Sequence, residues 1–262
     1  IEETPYGRET LATLQGYVRR GDAAIGRMLD ALAKHGLDRD TLVVMGGDHG
    51  PGIPRAKTTC YDPGISVAWL MRWPGVIEGG TTVGALAAHV DTLPTLLEML
   101  GMPIPPECQG KSLAGHVRGE RSGEVNEAVF SHMVENVRSI RTQRHKLIRN
   151  FREPGLYAPG PIQVDVLRVK KRGPRPQHAA PHVELYDLEA DPNEFDNLAE
   201  DPAAAAIRED LDTRLWDFLI EQDDFLINDP VRTPWQQQTR ADLEAHCARR
   251  NRPCPPAVGP LA

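Results

Sequence analysis

The residues best suited to chemistry lie in the stretch TLVVMGGDHGPGIPRAK, residues 41–57, where an apolar run ends in glycines followed by Asp48 and His49. Carboxylate and imidazole groups are both ligands for divalent cations. The flanking glycines let two consecutive side chains aim at one point. Two adjacent ligands cannot hold a metal alone, so the pattern predicts half of a metal site. The other interpretation is a glycine-rich turn in which the aspartate caps a helix and the histidine lies at the surface.

Positive charge follows the two candidate ligands on the same loop. Lys57 lies nine residues beyond Asp48, and Arg55 shortly precedes it. A carboxylate for a cation and an ammonium for an anion are the groups that hydrolysis of an anionic ester requires. The spacing therefore favours Lys57 as a catalytic residue and Arg55 as a substrate-binding residue.

The elements that must position this loop are those of an α/β protein. Apolar residues at three-, four- and seven-residue steps predict an amphipathic helix that ends at Gly36: Leu11, Leu14, Val18, Ile25, Leu29 and Leu32. Residues 41–45 and 67–71 are apolar runs that predict buried strands. The Asp-His pair then follows the carboxyl end of a strand, where parallel sheets place their sites. A further helix is predicted from Asp91, as its N-cap, to Gly101.

The second half of the chain predicts a smaller subdomain. The segments AVFSHMVE, VRSIRTQRHKLIRNF and VELYDLEADP read as short antiparallel strands, and a helix within residues 203–222 covers one face of their sheet. The predicted domains are the α/β core, the small α+β subdomain with one loop insertion, and a surface-wrapping tail, at residues 1–118, 119–227 (insertion 152–182) and 228–262.

Charge and composition limit the classes of partner. The net charge of -7 opposes the basic face that nucleic-acid binding needs, so we expect no nucleic-acid partner. No run approaches the roughly 18 apolar residues of a membrane-spanning helix, so we expect no membrane span. The four cysteines form no close metal-type pair and do not report a redox compartment.

The chain opens with Ile1 and enters a helix pattern almost at once, which suggests that an upstream portion is absent. A signal segment would lie in that portion. Cytoplasmic, periplasmic and secreted locations therefore all stay open.

Five blocks, in order along the chain, resemble the sulfatase family. They are GLDRDTLVV followed by DHG and a lysine, then YDPGISVAWLMRWPG, HVDTLPTLLEMLGMPIPPECQGKSL, SIRTQRHKLIRN and ELYDLEADPNEFDNLAEDP. The resemblance covers about residues 8–222. The spacing DHGPGIPRAKTTCYDPG is most similar to the heparan N-sulfatase, or sulfamidase-like, branch.

The resemblance implies an alkaline-phosphatase-like α/β core, here its C-terminal part, followed by a small antiparallel sheet with a C-terminal helix. Such enzymes bind one divalent cation, generally calcium, between two early aspartates, a formylglycine nucleophile and a late Asp-Asn or Asp-His pair. Asp48 and His49 match that pair, and Lys57 matches a lysine that holds sulfate oxygens. Because His49 replaces an oxygen ligand, manganese and magnesium stay as alternatives to calcium.

The same resemblance implies that essential parts lie elsewhere. None of the cysteines or serines precedes the Pro/Ala-x-Arg context from which formylglycine arises, and the early Asp pair is missing. We therefore expect the nucleophile in an N-terminal half of the same protein, which is the chain's first predicted partner. The substrate implied is a sulfated small molecule or a sulfated sugar, and we expect this chain alone to be inactive.

Three residues of the predicted small sheet are candidates for contacting the substrate's leaving group: His132, Glu135 and Arg138. By resemblance they fall where the small sheet of such enzymes faces the site. The alternative is ordinary: a strand-end histidine and exposed charges on a hairpin. His89, just before the helix cap, is predicted to be structural.

Two other functions compete with sulfate ester or sulfamate hydrolysis. Relatives on the same fold hydrolyse phosphodiesters or phosphonate monoesters, and the DHG motif suits them too. The third reading is a non-catalytic fragment or binding module, which the missing nucleophile favours.

Overall fold

The structure is a computed structural model. It describes residues 5–53, 55–133, 136–151, 181–228, 231 and 233–257. Two compact units divide the chain, the first made of residues 1–57 and 66–125, the second of residues 58–65 and 126–262. Most of the predicted insertion at 152–182 lies outside the described residues, and the predicted domain boundaries stay predictions.

The elements follow one another in mixed order. In chain order they are α1 (Pro5–Lys34), β1 (Val43–Gly46), α2 (Asp62–Ile65), β2 (Trp69–Arg72), α3 (Thr92–Met99), α4 (Ala114–Val117), β3 (Val129–Met133), β4 (Val137–Arg141), β5 (His145–Asn150), β6 (Val183–Asp187), α5 (Ala205–Glu221) and α6 (Pro234–Arg249). The predicted first helix is confirmed as α1. Gly36 stops it with a φ of 68°, a conformation that glycine adopts without steric cost.

The first unit contains a two-stranded antiparallel sheet in which Val44 of β1 lies opposite Met71 of β2. Both strands were predicted, but their expected burial in a parallel sheet is wrong for the described chain. Their side chains are half-buried or exposed, and Leu70 is 58% exposed. The physical reason is that, within the described residues, this sheet has only these two strands, so most of its apolar surface packs against nothing.

The region after the sheet is held together by Asp91, which is 1% exposed. Asp91 is the N-cap residue of α3, as predicted, but its carboxylate makes no capping bond to that helix. Instead, Oδ2 accepts the Ala88 N–H at 2.8 Å and Oδ1 accepts the Lys111 N–H at 2.7 Å. A Cβ at Gly110 would lie 2.1 Å from the Val90 carbonyl oxygen. The close approach of these two backbones therefore requires glycine.

The second unit is built on a four-stranded antiparallel sheet in the order β3-β4-β5-β6. This sheet is the one predicted from the alternating segments. The helix predicted within residues 203–222 is also confirmed as α5, and it buries Leu211, Leu215, Trp216 and Leu219. Leu147 of β5 and Leu185 of β6 are fully buried in the same cluster. Each such side chain contributes roughly 1.5–3 kcal/mol by leaving water, so this unit has a core of its own.

The predicted tail contains a helix that the sequence analysis missed. In α6, Leu243 and Cys247 are 1% and 2% exposed and belong to the core cluster of the second unit. Thr233 caps the helix: its hydroxyl accepts the Gln236 N–H at 3.2 Å, while Gln236 Oε1 accepts the Thr233 N–H at 3.1 Å. Part of residues 228–262 therefore packs as core and does not merely wrap the surface.

The short segment 58–65 is anchored in the second unit by buried ionic groups. Asp62 accepts hydrogen bonds from Lys146 and, at 3.2 Å, from Arg141. Glu194 accepts the Asp62 backbone N–H at 2.6 Å and Lys146 Nζ at 2.7 Å. Both the Lys146 and Glu194 side chains are fully buried.

No helix among the described residues is long and apolar enough to cross a membrane.

Candidate functional site

The turn after β1 owes its geometry to glycine. The Gly47 N–H donates to the Ala68 carbonyl at 3.0 Å and extends the pairing of the two strands. A Cβ at Gly47 would meet the Val67 Cβ at 3.3 Å, so a side chain there would crowd Val67. The His89 ring, through Nε2, lies 2.9 Å from the Gly47 carbonyl and braces the same turn. The structural role predicted for His89 therefore has a definite partner.

Asp48 and His49 direct two acceptor atoms at one point. His49 Nδ1 lies 2.8 Å from the Gly50 carbonyl oxygen. Because that oxygen can only accept, Nδ1 carries the proton and Nε2 keeps its lone pair in the neutral ring. Nε2 lies 3.3 Å from Asp48 Oδ2. Two lone pairs at this distance repel unless a proton or a metal cation lies between them.

The Asp48 carboxylate is held in its ionised form. The His49 backbone N–H donates to Asp48 Oδ1 at 2.9 Å. This hydrogen bond is the largest cause that lowers the pKa of Asp48 below its ordinary value of 3.8, and the charge of Lys57 acts in the same direction. The side chains of Asp48 and His49 are 84% and 41% exposed. The pair is therefore open to solvent, and its carboxylate is ionised at neutral pH.

The loop beyond the pair carries the two predicted basic residues. The Lys57 N–H donates to the Pro51 carbonyl at 3.0 Å, and the Ala56 N–H donates to the Ile53 carbonyl at 3.2 Å. These bonds fold the loop back toward its start, with Ala56 fully buried as its anchor. Lys57 is half-buried, whereas Arg55 is exposed and has a φ of 63°. The charge of Lys57 is thus close enough to Asp48 to contribute to the lowered pKa of that carboxyl group.

The residues predicted to contact a substrate from the small sheet have different environments. His132 is exposed on β3, directly opposite Arg138 in register. Arg138 is 4% exposed and holds Asp224 through Nε at 2.6 Å and Nη2 at 3.0 Å. Its guanidinium also lies 5.4 Å from the centre of the Phe225 ring. Glu135 lies outside the described residues. These contacts give Arg138 a structural task, so of the two described candidates His132 is the more accessible.

Among the described residues, no group of three or more His, Cys, Asp or Glu side chains could hold a metal ion. The Asp48–His49 pair nevertheless fits part of a cation site, because metal-bound histidines commonly donate their second ring N–H to a backbone carbonyl, as His49 does to Gly50. The donor set is one carboxylate oxygen and one imidazole nitrogen, which is the half-site expected from the sequence.

Two family profiles match the chain. The profile described as Sulfatase covers residues 3–102, and that of the N-sulphoglucosamine sulphohydrolase C-terminal region covers residues 55–162. The chain belongs to the sulfatase family. The predicted family is thereby confirmed, and the second profile is that of the sulfamidase-like branch to which the spacing of the DHG block was assigned.

Curated sulfatases match most of this chain but extend well beyond it. An ulvan-active sulfatase from Formosa agariphila is 30% identical over 218 residues, which are 77% of this chain and 37% of the relative. Human N-sulphoglucosamine sulphohydrolase is 29% identical over 250 residues, which are 82% of this chain and 48% of the relative. The chain therefore spans less than half the length of these relatives.

The solved structure of a 2-O GAG sulfatase aligns with a TM-score of 0.64 at 26% identity, covering 83% of this chain and 44% of that one. The predicted fold class is confirmed: the chain has an α/β alkaline-phosphatase-like fold, and its described elements are mixed helices and antiparallel sheets.

The sequence analysis missed the residues that organise the second unit. Asp62, Lys146 and Glu194 lie within the family blocks but were not singled out, nor was Asp224, which lies beyond them. A usable signal was present in Lys146, which directly precedes the apolar pair Leu147 and Ile148 in β5. A lysine at such a position must either be exposed or pair with an acidic residue, and Lys146 pairs with Asp62 and Glu194.

Proposed function

We propose that this chain is the C-terminal part of a metal-dependent hydrolase of sulfate esters or sulfamates that acts on a sulfated sugar. The observation that carries the proposal is the convergence of His49 Nε2 and Asp48 Oδ2 at 3.3 Å, with Nδ1 bonded to the Gly50 carbonyl. Membership of the sulfatase family supports the reaction class. The name of the human relative, N-sulphoglucosamine sulphohydrolase, supports a sulfated sugar as substrate.

Asp48 and His49 would hold the cation, which would supply Lewis-acid polarisation of a sulfate oxygen and stabilise negative charge. Asp48 remains ionised because the His49 N–H bond lowers its pKa. Calcium is our first choice by family. Manganese is an alternative because an imidazole ligand suits a softer ion than calcium, and magnesium is a second alternative.

Lys57 binds a second oxygen of the anionic group. Its ammonium is carried on a loop that the Lys57 N–H bond to the Pro51 carbonyl folds back on itself. Lys57 is half-buried, and its charge contributes to the lowered pKa of Asp48. Arg55, which is exposed on the same loop, is proposed to bind the substrate, as are His132, Glu135 and Arg138.

The nucleophile, a formylglycine, and the remaining cation ligands are proposed to come from the N-terminal half that the longer relatives contain. The surface of the first unit supports this partner. It carries a set of exposed large apolar side chains that includes Tyr17, Val18, Met28, Leu70, Leu93, Leu100 and Met102. Monomeric soluble proteins rarely leave so much apolar surface in water. We propose that this N-terminal half covers the exposed apolar side chains.

Activity of the full-length protein that contains this chain tests the proposal. We expect turnover of an aryl sulfate or of glucosamine N-sulfate that EDTA abolishes and a divalent cation restores. Turnover of an aryl phosphodiester in clear preference to both would instead support a phosphodiesterase or phosphonate hydrolase. No turnover of any of these esters by metal-loaded protein would support the non-catalytic reading.

Two substitutions separate the roles of the site residues. Asp48→Asn should weaken cation binding by more than the roughly 10–100-fold that changes around metal ligands cost. Lys57→Ala should leave cation binding unchanged and reduce kcat/KM by about 10²–10³-fold, as loss of one charge-stabilising donor does. Asp30→Asn and Lys34→Ala, both exposed on α1, are the matched controls. Equal cation affinity in Asp48→Asn and Asp30→Asn would refute the assigned ligand.

A further inference from the structure

The end of α6 and the segment that follows it are held side by side in the second unit. The Arg252 N–H donates to the Cys247 carbonyl at 3.1 Å, and Arg240 Nη1 donates to the Pro255 carbonyl at 2.7 Å. Arg252 Nη1 also reaches Asp217 Oδ1 on α5 at 3.2 Å. The backbone on either side of Cys254 is thus fixed against the helix that carries Cys247.

The two thiols meet inside this arrangement. Cys247 is 2% exposed within the core cluster, and Cys254 is partly buried and packs against the same cluster. The two side chains therefore share one cluster, and the neighbouring Cys247 contributes to a raised pKa of Cys254. Both are free thiols in the structure. Of the other two cysteines, Cys108 belongs to the first unit, and Cys60, although in the second unit, is buried in a separate hydrophobic cluster.

We propose that Cys247 and Cys254 form a redox-sensitive pair that closes an intramolecular disulfide between the end of α6 and the segment after it. The proposal is independent of the proposed catalytic function, because it uses no residue of the Asp48–His49 site. The co-reactant is a small-molecule disulfide such as oxidised glutathione.

The chemistry proceeds by two thiol–disulfide exchanges. The Cys254 thiolate, which is the more exposed, attacks the small disulfide, forms a mixed disulfide and releases one small thiolate. The Cys247 thiolate then attacks the Cys254 sulfur of the mixed disulfide and releases the second. Two protein thiols are oxidised, one small disulfide is reduced to two thiols, and the two protons lost by the cysteines end on the released thiols.

Burial makes the reaction slow at neutral pH. Desolvation, together with the hydrogen bond to Cys247, raises the pKa of Cys254 to about 11. Only the thiolate attacks, so below this pKa we expect the rate to rise roughly tenfold for each pH unit. Closure between pH 7 and pH 9 should therefore accelerate by about 100-fold.

Tryptic mapping of the whole chain tests the proposal without any substitution. The chain is incubated with oxidised glutathione at pH 8.5, blocked with iodoacetamide and digested. Trypsin cuts after Arg249 and Arg250 but not between Arg252 and Pro253, so the two cysteines fall in the separate peptides 241–249 and 251–262. We expect these peptides joined and lighter by two hydrogens than the two free thiol peptides together. Recovery of both peptides carrying alkyl groups, or with glutathione on either, would overturn the proposal.

Two variants check that the pairing is specific. Cys108→Ser should still yield the joined peptides, whereas Cys254→Ser should leave Cys247 as an alkylated thiol. A joined peptide that links Cys247 to Cys60 or Cys108 would also overturn the proposal. In the unsubstituted chain, the oxidised form should unfold at a higher Tm than the reduced form, since the cross-link restricts the unfolded state. An equal or lower Tm would contradict the idea that the native fold already positions the two thiols.

Discussion

Substitution of Glu194 gives a quantitative test of how the second unit is held together. Its fully buried carboxylate accepts Lys146 Nζ at 2.7 Å and the Asp62 N–H at 2.6 Å. Glu194→Gln keeps the shape of the side chain, but one of these two donors then faces an amide N–H. Removing one partner of a buried ion pair costs about 3–5 kcal/mol. Because Asp62 also contacts Lys146 and keeps the ammonium paired, we expect the lower end of that range, about 3 kcal/mol.

The measurement is urea-induced unfolding followed by the emission of Trp216, which is 1% exposed in the core of this unit. The matched control is Glu200→Gln. Glu200 is also paired with an arginine, Arg208 at 3.2 Å, but its side chain is 90% exposed. Pairs of that kind contribute little because water screens them, so the control should unfold like the parent chain.

A double-mutant cycle completes the test. Lys146→Met leaves Glu194 without its cation, and we expect the double variant Lys146→Met/Glu194→Gln to lose less stability than the sum of the two single losses, by at least about 1 kcal/mol. If Glu194→Gln lost no more than Glu200→Gln, or if the two single losses simply added, the buried ion pair would not be what anchors the segment at Asp62.

Two further predictions concern the backbone and the pH response. Gly110→Ala should destabilise the first unit, because the new Cβ would lie 2.1 Å from the Val90 carbonyl oxygen. In the control Gly79→Ala the new Cβ would meet nothing within 4 Å. Circular dichroism melting should therefore show a lower Tm for Gly110→Ala than for Gly79→Ala. Burial alone would raise the pKa of Asp62, but Lys146 and Arg141 outweigh it and hold that pKa below 3.8. A carboxyl with a lowered pKa stabilises the fold above its ordinary value and loses that contribution as the pH falls through the folded value. The difference in unfolding free energy between the parent chain and Asp62→Asn should therefore shrink as the pH is lowered from about 5 toward 2, and a difference independent of pH would contradict the assignment.

The elements with strong local signals were predictable. The helix α1 has an apolar stripe and a glycine stop, and the second-unit strands have apolar residues between polar turns. The placement of Asp48 and His49 together in one turn was predictable for the same reason, since they are adjacent in sequence; that they bind a cation stays a prediction. Such features depend on neighbours within a few residues, which is the information that a single sequence carries most directly.

The helix α6 shows a signal that was present but unused. Its apolar residues are too sparse to form a periodic stripe, yet the run Thr233-Pro234-Trp235-Gln236 contains a cap, a proline at the first helical position and the reciprocal glutamine. Leu243 and Cys247, four residues apart, then mark the buried face. Capping chemistry, more than hydrophobicity, would have located this helix.

Long-range ionic contacts had no such signal. Asp62 and Glu194 are 132 positions apart, and Asp62 and Lys146 are 84 apart. The residues next to each of these charged side chains in sequence do not indicate its partner. The expected burial of β1 and β2 was wrong for a related reason. An apolar run indicates that a strand is to be buried, but it does not indicate which part of a protein packs against it.

The block ELYDLEADPNEFDNLAEDP was the most distinctive part of the sulfatase resemblance, yet its described contacts are structural. Asp191 Oδ2 accepts the Phe195 N–H at 2.6 Å, Asn197 Oδ1 accepts the Leu185 N–H at 2.9 Å, and Glu194 is buried on Lys146 with a φ of 59°. These three side chains shape turns or neutralise a buried charge. Their contacts identify the fold and carry no information about catalysis. The case for sulfate hydrolysis therefore depends on the first unit, where a carboxylate, an imidazole and a lysine share one loop, and catalysis has to be tested at those residues.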